Sequence, residues 1–170
     1  RSNVGKTTVF NSLTGMHQHV GNWPGKTVEQ AKGHFSLGDY EYDIIDLPGN
    51  YALTAHSLEE IVSRDFIVDD DSDVIINVVD AANLERNLYL TVQMMELGAN
   101  LVTALNMNDY AKKKGHIINI DLISELLGFP VININAKTGD GIEELFNVVE
   151  KQAKNPIDTS EKVNYGAEIS

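Results

Sequence analysis

The chain has 170 residues, enough for one domain with a buried core. It carries 13 Lys and Arg against 25 Asp and Glu, a net charge of −12, and it has no cysteine. That charge repels nucleic-acid backbones and anionic lipid surfaces, and the missing thiols exclude disulfides, thiolate metal sites and cysteine nucleophiles. In chain order, a helical pattern over Lys6–Leu13 leads into a Gly- and Pro-rich stretch, Gly21–Glu29. A hairpin follows, from Lys32–Phe35 through a Gly38-Asp39 turn to Tyr40–Asp46. Helical patterns at Ser57–Val68, Leu84–Leu97, Asp121–Leu127 and Gly141–Lys154 then alternate with strands at Asp73–Asp80, Asn100–Asn106 and Pro130–Asn135. The apolar runs Val74–Val79, Leu101–Leu105 and Val131–Ile134 are continuous rather than alternating, as in parallel strands buried on both faces. Asn83 and Asp140 are expected as helix N-cap regions, and Gly98 and Gly128 as helix stops. The expected architecture is an α/β fold with a mostly parallel central sheet, one antiparallel edge hairpin and helices on both faces. In such sheets the ligand sits at the carboxyl ends of the strands. Asn155-Pro156 ends the last helix, so residues 1–155 read as the domain and 156–170 as a linker.

The chemistry-bearing segments fall at those strand ends. Asn3-Val4-Gly5-Lys6-Thr7-Thr8 matches the second half of a phosphate-binding loop, G-x-x-x-x-G-K-[ST]. Gly5 lets backbone N–H groups face a phosphate, Lys6 reaches the terminal phosphates, and the Thr7 hydroxyl suits Mg²⁺. Asp46-Leu47-Pro48-Gly49 follows a strand, where Asp46 suits Mg²⁺ and the Gly49 N–H suits a terminal phosphate. Asn106-Met107-Asn108-Asp109 ends another strand. The Asp109 carboxylate can accept from N1–H and the 2-amino group of guanine, and adenine lacks that donor pair. Asn106 is expected to brace the neighbouring loops, and Asn135-Ala136-Lys137 to cover the guanine carbonyl with its N–H groups. Thr27, in the Gly21–Glu29 stretch, can reach Mg²⁺ and the γ-phosphate and order its loop in the triphosphate state. Each segment has a bland local explanation as a turn, cap or loop. Their order and their placement at strand ends point to GTP or GDP with Mg²⁺.

Taken together the segments resemble the translation-factor class of small GTPases, that is, a P-loop NTPase with a Ras-like G domain. Three longer strings, Gly21–Glu29, Asp46–Thr54 and Asn77–Thr91, resemble the cytosolic G domain of the ferrous-iron transport protein B family over about Arg1 to Lys154. The resemblance implies a GTP-hydrolysing switch, cytoplasmic and joined through a helical domain to a membrane part of the same polypeptide that moves Fe²⁺. It implies catalytic roles for Lys6, Thr27, Gly49 and Asn3, and K⁺ held by Asn3 and by carbonyls near Trp23. Self-association is left open. Met107 stands where most GTPases have Lys, which predicts weaker binding and faster exchange. The strand that precedes the phosphate loop in this fold is absent from the chain. It is expected between Tyr40–Asp46 and Asp73–Asp80, supplied by about eight or more residues upstream of Arg1.

Other features carry less. Asp69–Asp73 lacks the Gly and Glu spacing of a calcium loop. Met94-Met95 reads as core, Lys112–Lys114 as a solvated helix end, and His17-Gln18-His19 as a weak metal pair at most. A nucleotide-gated binding module that needs a partner is the non-enzymatic alternative. A ribosome-assembly GTPase, suggested by Arg1-Ser2-Asn3, wants a basic RNA-binding surface that a net charge of −12 does not offer. Asp109 speaks against an ATP-dependent kinase.

Overall fold

The structure, a computed structural model, describes residues 4–48, 58–69, 72–107 and 119–156. Helix α1 (Val4–Thr14) leads to strands β1 (Gln18–Asn22), β2 (Glu29–Leu37) and β3 (Tyr40–Asp46). Helix α2 (Leu58–Val68) precedes β4 (Ile75–Asp80), and α3 (Leu84–Glu96) precedes β5 (Leu101–Asn106). Helix α4 (Ile120–Leu127), β6 (Val131–Ile134) and α5 (Ile142–Lys154) complete the order.

The continuous apolar runs form the parallel sheet β4-β5-β6. β5 is buried at every position, and its residues divide between two faces. Val102 and Ala104 pack with Val9 of α1 and with Leu145, Phe146 and Val149 of α5. Leu105 joins Leu127 of α4, and Leu101 joins Ile67 of α2 and Met94 of α3. Helices therefore cover both faces, which is what a run with no polar alternation requires. In α5 the buried Leu145, Phe146, Val149 and Gln152 share one stripe. Its first turn holds Glu143 and Glu144 and its last holds Lys151 and Lys154, each sign complementing the helix dipole.

The remaining strands form a separate antiparallel sheet, β1-β2-β3, rather than an edge of one continuous sheet. β1 itself was not expected. Gly21 and Asn22, read as loop, pair with Gln30 and Glu29. The antiparallel sheet docks on the core through Phe35 and Tyr42, whose rings lie 4.9 and 5.0 Å from that of Phe146.

Among the described residues no strand pairs β3 with β4. A groove of about 650 Å³ lies between them, lined by Phe10, Tyr42, Ile44, Ile76, Val78 and Phe146 among others. Both strands start at the last turn of α5: Lys154 Nζ donates to Tyr40 Oη at 2.6 Å, and Asn100 Nδ2 donates to Asp73 O at 3.0 Å and to Gln152 O at 3.1 Å. Two strand edges running the same way thus face one apolar groove, where the sequence reading set the absent strand. Among the described residues neither facing edge has a partner to carry the ladder across, so the sheet is split there.

Helix ends follow local chemistry, with one difference from expectation. Asn119 Oδ1 accepts from Leu122 N at 3.0 Å to start α4, and Gly128, at φ +73°, ends it. Asn83 is the N-cap of α3, as expected, without a side-chain capping bond, and Asp80 Oδ1 accepts from Ala82 N at 2.9 Å to cap the short 3-10 turn Ala81–Asn83 before it. Gly141 rather than Asp140 is the N-cap of α5, at φ +83°, and a Cβ there would collide with the Asn133 carbonyl.

Candidate functional site

The site has two parts, one at the ends of β3 and α1, the other at the ends of β5 and β6. In the first, Val4 and Gly5 lie in the opening turn of α1, and Lys6 follows. Lys6 Nζ lies 3.1 Å from Asp46 Oδ1 and donates to Leu47 O at 2.7 Å. Both side chains are about three-quarters buried, so the pair is shielded from water on most sides. The phosphate-loop lysine and the strand-end aspartate, 40 residues apart by number, are thus adjacent in space. Thr7 is exposed and Thr8 half-buried on the same helix.

Thr27 is exposed in the loop that joins β1 to β2. That loop is closed by Trp23 N donating to Val28 O and Lys26 N donating to Trp23 O, each at 2.9 Å. Among the described residues Thr27 makes no hydrogen bond to Lys6 or Asp46.

The second part is built on the core. Asn106, buried at the end of β5, accepts from Ala136 N through Oδ1 at 3.0 Å, which joins the β5 and β6 loops. Met107 N donates to Ile134 O at 2.9 Å, and the Met107 side chain packs on the cluster of Leu105, Leu127 and Val131. Asn135 Oδ1 accepts from Lys137 N at 3.0 Å and from Thr138 N at 3.2 Å, folding the loop into an Asx turn. Lys137 is exposed beside it. Asn3, Gly49 and Asp109 lie outside the described residues, as do residues 157–170 of the expected linker.

Two residues near the site escaped the sequence reading, Ser63 and Phe66 of α2. Ser63 Oγ, buried, donates to Pro48 O at 2.5 Å. Phe66 meets Trp23 edge to face, 5.6 Å between centroids. The available signal was a serine set in the buried stripe Val62, Ser63 and Ile67, where a polar group needs a partner.

Comparison with known proteins decides the family. A profile described as "Ferrous iron transport protein B" matches residues 1–149. The chain belongs to the ferrous iron transport protein B family. The Fe(2+) transporter FeoB of Escherichia coli K12 is 49% identical over 157 residues, covering 90% of this chain and 20% of that protein. The G domain of the T. maritima FeoB iron transporter superposes with a TM-score of 0.82 at 40% identity, covering 89% of this chain and 92% of the other. The cytosolic domain of the same transporter, solved in its GMPPNP form, gives 0.87 at 40% identity, covering 92% of this chain and 62% of that one. The P-loop G-domain fold of the FeoB family is thereby established. The chain spans about a fifth of the length of the curated relatives it matches. No described helix is long and apolar enough to cross a membrane.

Proposed function

We propose that this chain is the G domain of a ferrous-iron transporter, binding GTP and GDP and hydrolysing GTP to control a membrane part of the same polypeptide. The observation that carries this reading is the contact of Lys6 with Asp46 and Leu47 at the head of α1. It sets the phosphate-loop cation beside the strand-end carboxylate, at the carboxyl end of β3. Without ligand each charge neutralises the other. With a metal–triphosphate bound, Lys6 would turn from Asp46 and the Leu47 carbonyl to the phosphates, and Asp46 would be free to hold the metal. The exchange of partners keeps either charge from being left buried and alone, which would be costly.

The oxygen donors fit Mg²⁺, which takes carboxylate and hydroxyl ligands. Asp46, Thr7 and Thr27 would hold it, two of them from exposed hydroxyls free to turn inward. The metal supplies charge neutralisation on the phosphate oxygens. Lys6 supports the charge that develops at the β–γ bridge, and the Gly49 N–H would hold the γ-phosphate. For the base, Asn106 holds Ala136 in place and the Asn135 turn presents the Lys137 N–H. Met107 offers an apolar edge, and Asp109 selects guanine. Asn3 would hold K⁺, adding charge where other GTPases use an arginine finger. The groove between β3 and β4 supports a strand that enters α1 from upstream of Arg1.

Binding of fluorescent GDP and release of phosphate from GTP test this reading, with Mg²⁺ present, in K⁺ and then Na⁺. Turnover that is faster in K⁺ is the expected result. Lys6→Ala is expected to abolish turnover and to weaken triphosphate binding by about tenfold to a hundredfold, the worth of a charged hydrogen bond. Binding of ATP in preference to GTP would sink the proposal.

A further inference from the structure

The two nucleotide-facing segments of the antiparallel half are both held by α2, although neither is part of it. Ser63 grips Pro48 through its hydroxyl, and Leu47 packs on the cluster that contains Ile67. Phe66, close to one turn further on, meets the ring of Trp23 at 73°. Trp23 opens the loop that carries Thr27, and its backbone closes that loop through Val28. The Trp23 indole N–H is buried with no hydrogen-bond partner among the described residues. An unpaired N–H favours leaving the protein interior for water. What opposes that departure is ring packing, and Phe66 supplies the aromatic part of it. Trp23 directly follows β1, which is exposed along most of its length.

We propose that α2 is a tie between the loop of Thr27 and the segment of Asp46, with Ser63 and Phe66 as its positioning residues. Movement at Pro48 shifts Ser63, the rigid helix carries the shift to Phe66, and Trp23 follows with Thr27 four positions beyond. The inference rests on the GTPase reading for its use, since Thr27 and Asp46 are the residues a metal–triphosphate would recruit together. The tie itself exists without nucleotide and can be tested without it.

Trp23 is the only tryptophan of the chain, so its emission reports its environment without labelling. In ligand-free protein, Phe66→Leu is expected to shift Trp23 emission to the red and to speed amide exchange at Trp23 by about threefold to tenfold, the range for losing an aromatic pair. The deciding variant is Ser63→Ala, which touches Pro48 and not Trp23. It is expected to speed Trp23 exchange by about twofold to fivefold, as for one hydrogen bond, with Leu105 unchanged and Ser63→Thr restoring the slow rate. Trp23 exchange that ignores Ser63→Ala would overturn the tie, and this arm stands even if Phe66→Leu fails to fold. With Mg²⁺, Trp23 emission is expected to differ between GDP and GMPPNP in the unmodified chain and to be the same in Phe66→Leu, with calorimetry following binding separately. A difference that survives Phe66→Leu would also overturn it. If calorimetry detects neither nucleotide while the ligand-free results hold, the GTPase reading fails and the tie stands.

Discussion

The two halves of the candidate site are held in different ways. Asn106 ends a strand that is buried at every position, and its loop is locked to that of β6 by the hydrogen bond to Ala136. Thr27 follows a strand that is exposed at four of its five positions, and the Asp46 side chain, at the end of the β2–β3 ladder, is held by one ion pair. The half proposed to face the base is preset by the core, whereas the half proposed to face the phosphates rests on a few side-chain contacts. Low local stability is what a segment needs if it is to change state on binding. Three contacts, Lys6–Asp46, Ser63–Pro48 and Phe66–Trp23, are therefore the places where a nucleotide could change the structure most cheaply.

The contrast can be broken most directly at Phe146, whose ring joins the core to Phe35 and Tyr42 of the other sheet. Phe146→Ala is expected to cost about 3–5 kcal/mol, measured by denaturant unfolding, and to loosen β2 and β3 as well as α5. Amide exchange that rises only in α5 would show that the sheets are joined elsewhere. A smaller loss is expected from Asn106→Ala. It leaves the buried Ala136 N–H unpaired and should cost about 1–3 kcal/mol, with weaker GDP binding alongside. If stability falls while GDP affinity holds, the base-facing role of this loop is refuted.

On the other sheet, Val20 is 66% exposed, and Val20→Ala is expected to change stability by less than about 0.5 kcal/mol. A cost like that of a core residue would mean β1 is covered by something. The smallest effect concerns acid. Hydrogen bonds from Lys154 and Tyr40 hold the carboxyl of the half-buried Glu150 below its ordinary value. A lowered carboxylate pKa stabilises the fold above the ordinary range, and that contribution fades as pH falls through the lowered value. Lys154→Met should therefore narrow the gap between melting temperatures at neutral and at acid pH slightly. An unchanged gap would assign Glu150 no part in acid stability.

Much of this was legible in the sequence because it is local. Tyr40–Asp46 occurs as a strand with those very bounds, and Met94 lies in the core. The continuous apolar runs became the parallel strands, since burial on both faces leaves no room for polar alternation. β1 was missed because residues 18–22 have little strand character of their own and are extended by pairing with β2. The cap at Gly141 was missed by one residue, because the left-handed turn against Asn133 is a tertiary demand. Ser63 and Phe66 belong to no motif, so their partners could be learned only from the fold.

The order of residue types along the chain determined the fold class, the family and which side chains are candidates for the chemistry. Those are matters of period, of turn chemistry and of functional groups that sit a few positions apart. The tertiary structure alone decided that Lys6 rests on Asp46, that the sheet is split by a groove, and that one helix meets both Pro48 and Trp23. Each depends on groups far apart in sequence meeting at one point, and such meetings are set by how whole elements pack.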